Sequence, residues 1–378
     1  MKILHLCSAY ILNNLYKELF EAIDSLGIEQ DIYIPIKTNI NFKEKDKSKF
    51  KNADFFYSKI FTDFDRILFF KKINKIKKDI ERNFFNKVNI IHAHTLFAMG
   101  GVALKLKNEK NINYIVAVRN TDINIFFRYL FHLKKIGIDI MKNASKVVFL
   151  SPAYRDFVLE KIIPSSLNRE IKAKSIIIPN GIDPFFLKNK FYRNNWNRET
   201  KKVSLLYVGN LTKNKNIETT IKVFQKLSAI GYQAKLDIVG SGEEEKRLQL
   251  IVKNQKDIKM HGRIDKKEDL LKIYKNSDIF IMPSINETFG LVYLEAMSQG
   301  LPIIYTKGQG VDGFFSKGEV GYSVNPLDVD EITDKIVKII DNYQNISDSC
   351  YRLVDNFSWN IIAKEYQSIY SKLEHNVN

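Results

Sequence analysis

Short apolar runs recur along this chain, each followed by a polar loop and a stretch of helical spacing. That alternation limits the fold more than any other feature. Ile3-Leu4-His5-Leu6 is the first run; helical spacing follows over 15–26, ended by Gly27, and a second run over 31–36 is closed by Pro35. Further strands are expected over 89–94, 114–118, 146–151 and 176–183, then over 203–208, 236–239, 259–262, 279–282 and 301–305. Continuous apolar strands separated by helices are those of a parallel sheet covered on both faces, so a doubly wound α/β architecture is expected. At 378 residues the chain exceeds one ordinary core, and two domains are expected. Residues 184–200 are polar and aromatic without periodicity and read as the linker between a domain over 1–183 and another over 201–355.

The bulk properties narrow the function. Hydrophobic residues at 45% and charged residues at 27% suit a globular protein, and no apolar run approaches the roughly 20 residues that span a bilayer. The opening MKILHLCSAYIL reads as a first strand rather than a signal peptide. Cys7 and Cys350 form no metal or redox motif, and a reducing cytoplasm is the simplest setting. The net charge of +16 is uneven: residues 1–200 hold 35 Lys and Arg against 20 Asp and Glu, giving +15, whereas 201–378 hold 24 against 23. The first half should therefore meet something anionic, a nucleic acid or a membrane surface, unless its charge is simply solvated. Over 64–85, Phe69, Ile73, Ile76, Ile80 and Phe84 recur at helical spacing among Lys71, Lys72, Lys75, Lys77, Lys78 and Arg82. A helix of this kind either lies on a membrane or buries its stripe in a core. The basic-aromatic stretch IFFRYLFHLKK over 125–135 adds to the membrane reading.

The stretch SDIFIMPSINETFGLVYLEAMSQG, 277–300, concentrates the chemistry. A strand closed by Pro283 leads into a polar loop with Glu287, then a helical pattern with Glu295 eight positions on. Ligands of open α/β sheets bind at strand carboxyl ends, and the amides of Phe289, Gly290 and Leu291 would face such a ligand. Two acids beside a helix N-terminus suit a molecule rich in hydroxyls and phosphate; the plainer alternative is a carboxylate on a helix dipole and a surface Glu. The two D-x-D sequences, Asp63–Asp65 and Asp328–Asp330, precede helical patterns and read as caps rather than metal ligands.

E-T-F-G-L-V-Y-L-E resembles the E-x7-E signature of the retaining, GT-B-fold glycosyltransferases of family 4. NIIHAH over 89–94, IIIPNGID over 176–183 and GNLTKNK over 209–215 resemble further family segments in the same order. The resemblance implies two Rossmann-like domains facing across a cleft, with a last helix, 356–378, crossing back to the N-terminal domain. It implies that Glu287 binds sugar hydroxyls by the reacting carbon, that Glu295 binds the ribose, and that Phe289 and Gly290 offer amides. Gly209 and Lys215 match the segment that grips the diphosphate, whereas Asn210 stands for its Arg and Asn216 for its Gly. Gly240 and Gly242 would admit the donor backbone-first, and Arg263 would lie by the base. On the acceptor side it implies His94 and the loop Arg119-Asn120-Thr121-Asp122, where Arg119 occupies the slot of a family His. The implied reaction moves a sugar from a nucleotide-sugar, uridine-linked, to a glycan or lipid-linked acceptor of bacterial surface polysaccharide. It needs no metal or other cofactor, and Lys215 stabilises the leaving diphosphate. The implied place is the cytoplasm, peripheral on the inner face of an anionic membrane, with no nucleic acid bound. A sugar-nucleotide epimerase or a phosphorylase shares this architecture, though no lysine-anchored cofactor motif is present; a basic nucleic-acid-binding protein is the remaining alternative.

Overall fold

The computed structural model describes every residue except 13, 46, 67, 84–87, 195–200 and 376–378, together with all side chains but those of 63, 66 and 375. The expectations that touched Asn13, the Asp63 side chain, Phe84 and 195–200 therefore lie outside the described residues. Two compact units divide the chain. One comprises Met1–Leu150, Tyr154–Gly181 and Trp359–Asn378; the other comprises Ser151–Ala153 and Ile182–Ser358.

The first unit holds a seven-stranded parallel sheet in the order β3-β2-β1-β4-β5-β6-β7. Its strands are β1 (Lys2–Leu6), β2 (Glu29–Lys37), β3 (Ala53–Phe61), β4 (Ile90–Ala93), β5 (Asn113–Val118), β6 (Lys146–Phe149) and β7 (Ser175–Ile177). The apolar residues of β1, β2, β4, β5 and β6 are buried on both faces, which is why these strands read as continuous runs. β2 continues two residues past Pro35 rather than stopping there. Tyr33, of the same parity, accepts the Cys7 N–H through its carbonyl, so the N–H that Pro35 lacks would face the side where β1 has already ended. β3 was not foreseen; it is an edge strand whose exposed Asp54 and Lys59 hide its alternation among neighbouring lysines.

The basic helix Phe69–Asn83 buries Phe69, Ile73, Ile76 and Ile80 in the core of this unit. The stripe is therefore core and is not free to enter a bilayer. Two of the helix's lysines are also spent within the unit, Lys75 on Asp65 at 2.8 Å and Lys77 on Glu81 and Glu109. The last helix, Trp359–His375, packs on Leu15–Asp24. The Trp359 indole donates to Glu18 at 2.8 Å, and its ring lies where a Cβ on Gly181 would come within 2.3 Å, so only glycine fits there.

The second unit holds a six-stranded parallel sheet in the order β10-β9-β8-β11-β12-β13. These are β8 (Lys202–Val208), β9 (Gln233–Val239), β10 (Ile258–Gly262), β11 (Ile279–Ile281), β12 (Ile303–Thr306) and β13 (Gly321–Val324). The described part of the expected linker belongs to this unit. Asp183 caps a helix, Pro184–Lys188, by accepting the Phe185 amide at 2.9 Å, and Phe186 is buried in the unit's core. Arg193 then donates to the carbonyls of Gln299 and Tyr274, both at 2.8 Å. An Asp-Pro start is a helix signal that outweighs the missing periodicity of so short an element. In each sheet the strand order reverses once, at β1/β4 and at β8/β11, and loops leaving the strands there border the place where such sheets take ligands.

Candidate functional site

In the second unit the loops after β8 and β11 carry Lys215 and Glu287. Their side chains meet at 2.6 Å, both partly buried. The loops are fastened backbone to backbone: the Ile285 amide donates to the Asn214 carbonyl at 2.8 Å, and the Asn214 side chain donates to Asn286 O at 2.9 Å and accepts its amide at 3.1 Å. Asn216, where the family has glycine, adopts a left-handed φ of 55°. Asn tolerates that region best after glycine, and here its side chain adds bonds a glycine cannot make, to Pro283 O at 3.0 Å and Pro326 O at 2.6 Å. The Glu287 backbone is held from a third loop, after β12. Gln309 Oε1 accepts the Glu287 amide at 3.1 Å and the Gly310 amide donates to the Glu287 carbonyl at 2.7 Å. Gln309 and Asn214 went unnoticed in the sequence because a single Gln or Asn in a loop carries no spacing signal.

The helix after this loop is Leu291–Ser298, with Gly290 before it at a φ of 79°. The expected amides shift by a residue or two: Leu291 and Val292 start the helix, and Phe289 is buried against Phe314 and Phe357. Glu295 lies on the helix, partly buried, accepting from Tyr274 at 3.0 Å. Burial is the main cause that pushes its carboxyl up to about 7; Asp183 adds to the rise, while the Tyr274 hydroxyl and Lys267 oppose it. The two acids of the signature thus stand in opposite surroundings, Glu287 on a cation and Glu295 beside a phenol. Gly240 and Gly242 serve the packing of one loop on another: a Cβ on Gly240 would sit 1.9 Å from the Gly209 carbonyl oxygen, and one on Gly242 would sit 2.4 Å from that of Leu211. Asn210 is exposed, with its carbonyl accepting from Tyr207 at 3.0 Å. Arg263 is exposed and paired locally with Asp265 at 2.7 Å. Asp328 caps its helix through the Glu331 amide at 2.9 Å, as its position suggested.

In the first unit two of the residues expected on the acceptor side are buried. His94 is fully buried, and Asp122 is 2% exposed. Asp122 accepts three backbone amides, from Leu96 at 3.0 Å, Phe97 at 3.2 Å and Arg119 at 2.8 Å, so its role is to pin the loops after β4 and β5. Burial pushes its carboxyl up to about 6 against the pull of those amides. Both side chains turn into the fold. Asn120 is exposed. Arg119 is half-buried, donating from Nε to the His94 carbonyl at 3.3 Å and from Nη1 to Asn180 Oδ1 at 3.0 Å, with its guanidinium 5.6 Å from the Tyr16 ring.

Among the described residues one group has the composition of a metal site: His5, His92 and His94, with one ring nitrogen of each within 4.8 Å of the others. Burial holds His92 and His94 well below the usual histidine range, and His5 at about 3, so all three are neutral and able to ligate. His5 and His94 already share a hydrogen bond at 3.1 Å, His92 bonds Tyr370 at 2.7 Å, and His92 and His94 stack at 3.9 Å. Among the described residues one nitrogen on each ring has no partner.

Compared with known proteins, residues 13–185 match the family model described as "Glycosyltransferase Family 4" and residues 188–356 the one described as "Glycosyl transferases group 1". A probable sucrose-phosphate synthase of Thermosipho melanesiensis is 31% identical over 54% of this chain and 48% of its own length. The capsular polysaccharide biosynthesis glycosyltransferase CapM of Staphylococcus aureus is 29% identical over 65% of this chain and 66% of its own. The chain thus spans from about half to two thirds of the length of these two relatives. The alpha-monoglucosyldiacylglycerol synthase of Acholeplasma laidlawii is 24% identical over 94% of this chain and 92% of its own. Among solved structures, Anabaena Alr3699/HepE in complex with UDP superposes with a TM-score of 0.69 at 15% identity, covering 98% of this chain and all of that one, which shows the shared GT-B fold. Two family models that between them take in nearly all of the chain, and two parallel α/β units of that fold, make it a member of the family 4 glycosyltransferases.

Proposed function

We propose that the protein is a metal-independent, retaining transferase that moves a sugar from a UDP-sugar to a glycan or lipid-linked acceptor in the synthesis of bacterial surface polysaccharide. The observation that carries this reading is the Lys215–Glu287 pair at the strand-order reversal of the second sheet. When a sugar nucleotide breaks at its anomeric carbon, negative charge grows on the departing diphosphate. The Lys215 ammonium and the first amides of Leu291–Ser298 supply the opposite charge. Glu287, held rigid by three loops, accepts hydrogen bonds from sugar hydroxyls and fixes the ring, and Glu295 takes the ribose. The new bond forms on the face the diphosphate leaves, with the leaving phosphate taking the acceptor's proton. Support for the donor comes from HepE, solved with UDP, and for the acceptor classes from the capsular and glycolipid relatives.

The membrane part of the reading rests on a surface of the first unit, and on the cytoplasmic setting the sequence suggested. No helix among the described residues is long and apolar enough to cross a membrane. Leu68, Phe70, Ile125, Tyr129 and Phe131 are exposed, near Lys71, Arg128, Lys134 and Lys135 in sequence. Exposed aromatics among cations suit peripheral contact with an anionic bilayer. Flotation with neutral and anionic vesicles tests it; equal binding to both would defeat it. For the reaction, thermal unfolding with a panel of sugar nucleotides should show stabilisation by one UDP-sugar, since ligand that binds only the native state raises its stability by mass action. Transfer should then be lost in Glu287→Gln. Near-normal turnover in that variant, or consumption of donor to an isomer without acceptor, would overturn the reading.

A further inference from the structure

Arg119 is the cation at the carboxyl end of β5, in the slot where the family has histidine, and its hydrogen bonding is incomplete. A guanidinium has five N–H donors. Two are spent, on the His94 carbonyl and the Asn180 amide oxygen, which leaves three without a partner among the described residues. Both acceptors are neutral. Asp122 is near enough to influence the guanidinium, but its oxygens are taken by the three backbone amides, and no carboxylate of a described residue lies in ion-pair distance of Arg119. Such a half-buried cation, fixed in direction by two strand-end loops and by the Tyr16 ring, is preset for a bidentate anion.

We propose that Arg119 is a specificity-determining residue that selects acceptors bearing a negative charge, a phosphate or a carboxylate, over neutral ones. The inference rests on the transferase reading for the identity of the ligand as an acceptor, though not for the anion itself. The imidazole of the family slot cannot do this at neutral pH, being mostly uncharged there, whereas a guanidinium is always charged. A merely structural Arg119, tying His94 to Asn180, would influence stability and leave selectivity alone.

The test is calorimetric titration of the full chain with glucose 6-phosphate and with glucuronate, and with glucose as uncharged control, in saturating UDP so that the nucleotide's own phosphate site is filled. The unaltered chain should bind both anionic sugars at least about tenfold more tightly than glucose, a difference of about 1.4 kcal/mol. Arg119→Gln should erase that difference, Arg119→Lys should keep part of it, and both should bind UDP as before. Equal binding of charged and neutral sugars by the unaltered chain overturns the proposal without need of any variant. So does a preference that survives Arg119→Gln, or a loss of UDP affinity in parallel with it, which would assign Arg119 to the donor. Absence of UDP binding in the unaltered chain would instead count against the transferase reading, and the charge preference would still be read.

Discussion

The two sheets reverse strand order in the same way, yet their carboxyl edges are furnished differently. At β8/β11 the loops bring forward a lysine and a glutamate that remain partly accessible. At β1/β4 the corresponding place is filled by the fold's own groups: His5, His92 and His94 are packed in a layer with Tyr366 and Tyr370. Asp122 turns inward to three amides, and of the charged residues expected there only Arg119 keeps unused donors. One topology therefore supports a charged, partly accessible edge or a closed one, and the choice lies in loop residues rather than in strands.

That contrast can be broken at its strongest point first. Glu287→Gln and Lys215→Ala should each lower transfer by about 10³-fold, on the order of 4 kcal/mol of transition-state stabilisation, with unfolding temperature little changed. Asp122→Ala should do the reverse, since it strands three buried amides. A stability loss of about 3 kcal/mol or more is expected by denaturant titration, and loss of activity without loss of stability would mean that this edge is not closed.

The pH dependence sharpens the comparison within the charged edge. Glu295 is held at about 7 in the fold, above the 4.5 of an ordinary glutamate, so the native state keeps its proton where the unfolded chain has lost it. Its contribution is fully present below about pH 4.5 and fades as pH rises through 7. Relative to Glu295→Gln, the unaltered protein should lose at most about 3 kcal/mol across that window, read from unfolding at stepped pH; a constant difference would place Glu295 in water. The smallest effect concerns Asn216. Asn216→Ala keeps the strained backbone and loses three side-chain bonds, those to Pro283 O and Pro326 O and the one accepted from the Thr219 hydroxyl, and should cost about 2 kcal/mol, whereas Asn216→Gly should cost about 1 kcal/mol because its backbone is free to adopt the left-handed φ.

Much of this was legible beforehand, for physical reasons that also explain the failures. Strands buried on both faces announce themselves as apolar runs, and so β1, β4, β5, β8 and β11 were readable. β3 and β13 were not: an edge strand alternates, and Gly321–Val324 carries Gly321 and Ser323 among its four residues and so shows no apolar run. The loops that bring Glu287 and Lys215 together were legible through a motif whose spacing is tied to strand–loop–helix geometry. The burial of His94 and Asp122 was not legible, because a sequence shows that a polar residue ends a strand, but not whether the loop folds it outward or back. The stripe of Phe69–Asn83 posed the same question, and burial answered it.

The seal made by Trp359 against Gly181 and Glu18 bears on how the polypeptide can be made. The unit that begins at Met1 is completed by residues 359 onward, so its final piece leaves the ribosome after the whole of Ile182–Ser358. The later-encoded half can therefore finish folding first, while the earlier one waits with the surface that Trp359, Tyr366 and Tyr370 will cover still bare to chaperones. A nascent chain arrested just short of residue 359 would expose that hydrophobic gap for as long as synthesis pauses.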